Sequence, residues 1–311
     1  MSNKKIKIAL LTERRADYSR FKPLLKKIIY DKSLEFKLIV SGIHILKSNG
    51  MTINEIKKDK FKIAKIIPMF KDNKGDGISM INGISNLLKP LVKYLKKEKP
   101  DLVLSGFDIG GNFSITIVAA HLNIPVAHIQ GGERSGSIDE SLRHAMSKFS
   151  NFHFVATKEA KKRLIKMGEN AKDIFVVGCP SIDALLEAEN ISISKIIKKY
   201  KFDFNQKFLL CIQHPVTTEN NNSKKQIKET LIALKKTKLP VFFIMPNNDS
   251  GFKQIVNEIK LSNFKNVNTL PLAEYKTILK KCALLIGNSS SGIHEAATYK
   301  KAVINLSLIH I

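Results

Sequence analysis

Short runs of apolar residues alternate along the chain with longer stretches in which apolar positions recur every three or four residues. The short runs fall at 6–11, 36–40, 102–105, 126–129 and 152–156, and again at 174–177, 208–212, 241–245, 284–286 and 303–306. Many are apolar throughout and rich in Val, Ile and Phe, the pattern of strands covered on both faces in a parallel sheet. Helical periodicity is clearest over 18–29, 81–97, 138–149, 158–167, 223–237 and 274–281. Such alternation predicts an α/β class with doubly wound parallel sheets. Because the strand series comes twice, two Rossmann-type domains are expected, 1–178 and 179–311, joined at Gly178-Cys179-Pro180. Ligands of such folds bind at the carboxyl ends of strands, so the loops after the strands are where chemistry belongs, in a cleft between the domains.

Charge changes the picture only a little. The chain has 311 residues, with 52 basic against 27 acidic, a net charge of +25. Nucleic acid is not the expected partner. Base-reading surfaces favour arginine forks, and the only arginines are Arg14, Arg15, Arg20, Arg134, Arg143 and Arg163. The lysines are spread along the polar faces of the helical stretches. A positive field would still draw in an anionic ligand. No apolar run reaches the about 18 residues of a membrane span. The N-terminus lacks the long apolar core of a secretory signal, which points to the cytoplasm. Cys179, Cys211 and Cys282 lie far apart, without metal-ligand spacing, so reduced thiols and no metal site are expected. No G-x-G-x-x-G follows the first strand, which leaves a nicotinamide cofactor with weak support.

Four loops carry candidate chemistry. The first is Thr12-Glu13-Arg14-Arg15-Ala16-Asp17-Tyr18. Its paired arginines suit a diphosphate; equally, Asp17 reads as the N-cap of an ordinary surface helix. The second, Ser105-Gly106-Phe107-Asp108-Ile109-Gly110-Gly111-Asn112, sets Asp108 among apolar and glycine residues. Partial desolvation there favours an acid/base role, or the aspartate simply bonds its own turn. The third runs from Ile129 through Gln130-Gly131-Gly132-Glu133 to Arg143-His144. Ser137 and Glu140 form a capping box, Asp139 falls in the first turn, and Arg143 is one turn on and able to pair with it. An acidic first turn with a surface ion pair has the same signature. The fourth, Gly287-Asn288-Ser289-Ser290-Ser291-Gly292-Ile293-His294-Glu295, opens backbone amides at a helix start, a natural diphosphate site. Its counterpart is Gln213-His214-Pro215-Val216-Thr217-Thr218, with His214 at a strand end.

In order, these pieces resemble the hydrolysing UDP-N-acetylglucosamine 2-epimerases. The resemblance rests on Arg15-Ala16-Asp17-Tyr18-Ser19, Gly131-Gly132-Glu133, Ser135-Gly136-Ser137-Ile138-Asp139, Arg143-His144-Ala145, Gly178-Cys179-Pro180-Ser181, Gln213 to Thr218, and Gly287-Asn288-Ser289-Ser290. It implies a GT-B-like fold and conversion of UDP-N-acetylglucosamine and water to N-acetylmannosamine and UDP through a glycal, in nonulosonate (sialic acid type) biosynthesis. No cofactor is implied, and a homo-oligomer is. Asp108 and Asp139 take the acid/base positions, with Gln130 and Glu133 beside them. Arg15, His214, Ser289 and Ser290 take the diphosphate, Glu295 the ribose, and Arg143 a supporting place.

Three departures stand out. Ile109 replaces the basic residue the family commonly has after Asp108. Gln130 stands where the family commonly has a catalytic glutamate, and glutamine transfers no proton at neutral pH. The family continues past the last strand through an arginine loop and further helices, whereas here Ser307-Leu308-Ile309-His310 leads to the end of the chain. A truncated, loosely hinged protein is the expectation. Other readings stay open: the same reaction on a UDP- or GDP-linked 2,4-diacetamido-trideoxyhexose, a GT-B glycosyltransferase, or an inactive nucleotide-sugar-binding fragment.

Overall fold

Fully apolar runs call for sheets covered on both faces. The computed structural model, which describes residues 4–71, 76–135 and 138–306, contains two such sheets. The chain divides into two compact units after Pro180.

The first unit runs β1 (Ile6–Thr12), α1 (Arg15–Tyr30), β2 (Leu34–Val40), α2 (Ile53–Lys58), β3 (Ile63–Ile66), α3 (Gly77–Glu98), β4 (Leu102–Gly106), α4 (Gly110–His121), β5 (Val126–Ile129), α5 (Ile138–Lys148), β6 (Phe152–Val155), α6 (Lys158–Lys166) and β7 (Ile174–Val176). Its seven strands, all parallel, lie in the order β3-β2-β1-β4-β5-β6-β7. Alternate residues of β1 feed opposite cores. Ile8 and Leu10 pack with Phe21, Leu25 and Leu38, while Ala9 and Leu11 pack with Leu87, Leu91 and Ile115. That period of two is why Ile8 to Leu11 are apolar without a break.

The second unit runs α7 (Pro180–Glu187), α8 (Ile193–Tyr200), β8 (Leu209–Ile212), α9 (Ser223–Lys236), β9 (Val241–Ile244), α10 (Phe252–Leu261), β10 (Lys265–Val267), α11 (Leu272–Lys281), β11 (Leu284–Gly287), α12 (Ser291–Thr298) and β12 (Val303–Asn305). The sheet is parallel, in the order β10-β9-β8-β11-β12. Leu210 and Ile212 face one core, Leu209 and Cys211 the other. The three cysteines are free and buried. Among the described residues no helix is long and apolar enough to cross a membrane.

Both sheets reverse strand order at one place, β1 beside β4 and β8 beside β11. A doubly wound sheet opens its ligand crevice at such a reversal. The loops with candidate chemistry follow β1, β4 and β5 in one unit, and β8 and β11 in the other.

Some elements differ from the sequence reading. The edge strands β3 and β10 were not expected, since Ile63–Ile66 and Lys265–Val267 are short and carry lysine. Helix α4 was also missed. It is buried on several sides, through Gly111, Asn112, Ser114, Ile115, Thr116, Val118 and Ala119, so it has no polar face to set a period. Asp17 is not an N-cap. The helix begins at Arg15, and Asp17, in its first turn, reaches back to the preceding backbone. Ser137 of the proposed capping box, and residues 307–311, lie outside the described residues.

Candidate active site

The loop after β1 turns into α1 around two buried carboxylates. Asp17 accepts from the backbone N–H of Glu13 and of Arg14, each at 2.9 Å, and from the Thr12 hydroxyl at 3.0 Å. Burial, with the charge of Glu13 beside it, pushes the Asp17 carboxyl up to about 7, against the lowering pull of those amides. His44 lies underneath, its Nε2 2.9 Å from the Thr12 hydroxyl and its Nδ1 2.7 Å from that of Thr52. Glu13 crosses to the next loop, where its Oε2 accepts the Gly111 N–H at 2.5 Å. A Cβ on Gly111 would stand 2.6 Å from that oxygen and 2.7 Å from Leu11 Cδ2, so a larger residue there would have to displace both side chains. Arg15 is half-buried at the start of α1.

The loop after β4 begins on Phe107, which has φ +60 and packs edge-on against Phe21 at 4.9 Å. This left-handed, non-glycine backbone is strained and is held by its packing. Next comes Asp108, half-buried. Its surroundings are not the purely apolar ones expected, because the Arg143 guanidinium of α5 donates to its Oδ2. The same guanidinium donates to the Glu133 carbonyl at 2.8 Å and reaches the Ser135 hydroxyl at 3.4 Å. The basic partner missing at Ile109 is thus supplied from helix α5. Gln130, at φ +61 after β5, donates through its side-chain amide to the Glu133 carboxylate at 3.3 Å. Asp139 is half-buried in the first turn of α5, one turn before Arg143. One cluster therefore holds Asp108, Gln130, Glu133 and Arg143.

In the second unit, Asn288 joins two loops. Its Oδ1 accepts the His214 N–H at 2.7 Å and its side-chain amide donates to the His214 carbonyl at 2.9 Å. His214 Nδ1 accepts the Asn247 N–H at 3.3 Å. That bond assigns the proton of a neutral ring to Nε2, making it a donor. Gly287 has φ +144, and a Cβ there would overlap the Ile212 carbonyl. The Ser289 hydroxyl accepts the Ser291 N–H at 3.3 Å, and exposed Ser290 stands at the N-cap position of α12. Glu295 is half-buried on α12; its charge adds to the burial that holds the Tyr275 hydroxyl well above the usual tyrosine range.

A family model described as UDP-N-acetylglucosamine 2-epimerase matches residues 26–307. The chain belongs to this family. A UDP-N,N'-diacetylbacillosamine 2-epimerase (hydrolyzing) of Legionella pneumophila is 37% identical over 304 residues, with 96% of this chain and 80% of the relative covered. A UDP-N-acetylglucosamine 2-epimerase of Neisseria meningitidis is 30% identical over 296 residues, covering 94% and 77%. Among solved structures, a UDP-GlcNAc 2-epimerase from Neisseria meningitidis bound to UDP-GlcNAc superposes with a TM-score of 0.81 at 20% identity, over 96% of this chain and 82% of that one. At that identity the likeness shows the fold, which is GT-B-like with two parallel-sheet α/β domains.

Within this 2-epimerase fold, sequence reasoning passed over Glu13, Asn247 and the structural role of Asn288. Glu13 drew no reading of its own, since its partner Gly111 is 98 residues away. Asn288 lay inside a recognised motif, but its bonds to His214 span 74 residues.

Proposed function

We propose that the chain is a hydrolysing 2-epimerase acting on a UDP-linked 2-acetamido sugar, with UDP-N-acetylglucosamine giving N-acetylmannosamine and UDP. The observation that carries this reading is the cluster of Asp108, Arg143, Glu133 and Gln130, in a chain of this family. Inversion at C2 needs a base on one face of the sugar and an acid on the other. Asp108, oriented by Arg143, serves as one, and Asp139 or Glu133 as the other. Removal of the C2 proton with departure of UDP leaves a glycal. Water then adds at C1 while a proton returns to C2 from the opposite face. The leaving diphosphate needs donors; His214 Nε2, Ser289, Ser290 and Arg15 are assigned to it, and Glu295 to the ribose. The enzyme is read as cytoplasmic and homo-oligomeric, feeding nonulosonate synthesis.

A second substrate is favoured by one comparison. The Legionella pneumophila relative is named for UDP-N,N'-diacetylbacillosamine, and Gln130 suits recognition of a second acetamido group better than proton transfer. Incubation with each UDP-sugar in deuterated water, followed by NMR, tests both. Released UDP and a free sugar carrying deuterium at C2 are expected. A product retaining its C2 hydrogen rules out the glycal route, and a strict need for an acceptor would favour a transferase.

A further inference from the structure

Glu13 fills the place where the first sheet reverses its strand order, between β1 and β4. In doubly wound folds such a place commonly receives an anionic ligand group; here it receives a carboxylate of the chain itself. Glu13 is 2% exposed, and each of its polar groups is engaged. Its N–H donates to Asp17 at 2.9 Å and its carbonyl accepts the His44 N–H at 3.3 Å. Its Oε1 accepts from Arg14 Nη2 at 3.1 Å, and its Oε2 accepts the Gly111 N–H. The neighbours are shaped around it. A Cβ on Gly42 would come within 2.5 Å of Glu13 Cβ, and one on Gly111 within 2.6 Å of Oε2.

The two carboxylate oxygens point to different loops. One holds Arg14, whose successor Arg15 opens α1. The other holds Gly111, three residues after Asp108 and in the first turn of α4. We propose that Glu13 is a positioning residue of the reaction, tying the loop that carries Arg15 to the loop that carries Asp108. The proposal rests on the epimerase reading, in which these loops hold diphosphate and proton-transfer groups. A side chain that only filled the space would need neither the charge nor two separately used oxygens.

Two variants separate the ties. Glu13→Gln keeps a carbonyl oxygen for the Gly111 N–H but turns an amide N–H2 toward Arg14, so it releases the first loop alone. Glu13→Ala releases both. UDP affinity by calorimetry, turnover by UDP release, and amide hydrogen exchange over 106–112 are compared in the full chain. Both variants are expected to weaken UDP by roughly 10-fold, the scale of one charge-assisted hydrogen bond. Only Glu13→Ala should lose a further factor of about 100 in kcat, as displaced reacting groups do. Only Glu13→Ala should speed exchange at Gly111. Partial unfolding cannot imitate this split, because it lowers the active fraction without altering the affinity of what remains. Equal loss of kcat in the two variants, or unchanged UDP affinity in both, overturns the proposal. A wild-type chain that turns over no UDP-sugar sinks the epimerase reading instead. The exchange measurement needs no ligand and still decides on Glu13, with equal exchange in both variants going against it.

Discussion

Arg143 is buried, and a buried guanidinium is tolerated only where acceptors meet it. It meets Asp108, the Glu133 carbonyl and the Ser135 hydroxyl. Two loops, the one after β4 and the one after β5, are therefore oriented by one cation. If Asp108 transfers a proton, Asp108→Asn should lower turnover by about 100-fold while UDP affinity stays within a few-fold. Steady-state kinetics beside calorimetry checks this, and a variant that loses UDP binding instead would move Asp108 to the nucleotide. Gln130 gives a second prediction. Gln130→Glu would set a carboxyl against Glu133, now 3.3 Å from the glutamine amide. Two carboxyls so close cannot both ionise freely, so one keeps its proton to higher pH and becomes an acid. Turnover of UDP-N-acetylglucosamine should rise and that of a diacetamido substrate should fall. No change on either sugar removes Gln130 from the determinants.

At the scale of elements, the second unit's loops are held by glycine and asparagine. Gly287→Ala would force a Cβ into the Ile212 carbonyl at a backbone angle that L residues rarely adopt. A loss of at least about 3 kcal/mol of stability is expected, the range of the severe backbone and packing lesions, measurable by urea denaturation. Asn288→Ala would leave the His214 N–H and carbonyl without this partner, at about 1–3 kcal/mol for each that stays unpaired, and should weaken UDP more than it slows turnover at saturation. An equal fall in both would place Asn288 in the fold alone. These elements also mark the limit of what the sequence discloses. Apolar runs such as Leu209–Ile212 and Val241–Ile244 announced central strands because both faces are buried. Lys265–Val267 did not, since an edge strand needs little apolar surface. Asp108, Gln130, Glu133 and Arg143 were legible as candidates from their loops. That Arg143 pairs with Asp108, 35 residues away, was not, because the sheet order that brings β4 beside β5 is a property of the whole unit.

For the whole molecule, three of the buried groups with shifted proton affinities, His44, His128 and Asp17, set opposing pH trends. Burial holds His44 and His128 down to about 3. Each is neutral in the folded chain, while the unfolded histidine, near 6.5, takes up a proton. Their contribution to stability is present above about pH 6.5 and is lost as pH falls toward 3. Asp17 works the other way. Its folded carboxyl, raised from 3.8 to about 7, stays protonated where the unfolded one has ionised. Its contribution is present below about pH 4 and is lost as pH rises through 7. Between about pH 4 and 6.5 the unfolded chain thus gains protons on two histidines while the folded chain keeps one on Asp17. The unfolded chain holds the net excess of one, so these groups make stability rise with pH, by about 1.4 kcal/mol per pH unit where all three are fully in play. Above about 6.5 the histidines contribute no further slope, and the loss at Asp17 turns the curve over. Thermal melts from pH 4.5 to 8, on the wild type and on His128→Asn, test this by slope rather than level. The variant is less stable at neutral pH for its lost packing, but it has one histidine fewer to protonate on unfolding. Its deficit should therefore shrink as pH falls below 6.5. A deficit that stays constant across that range would mean His128 is not held neutral in the fold.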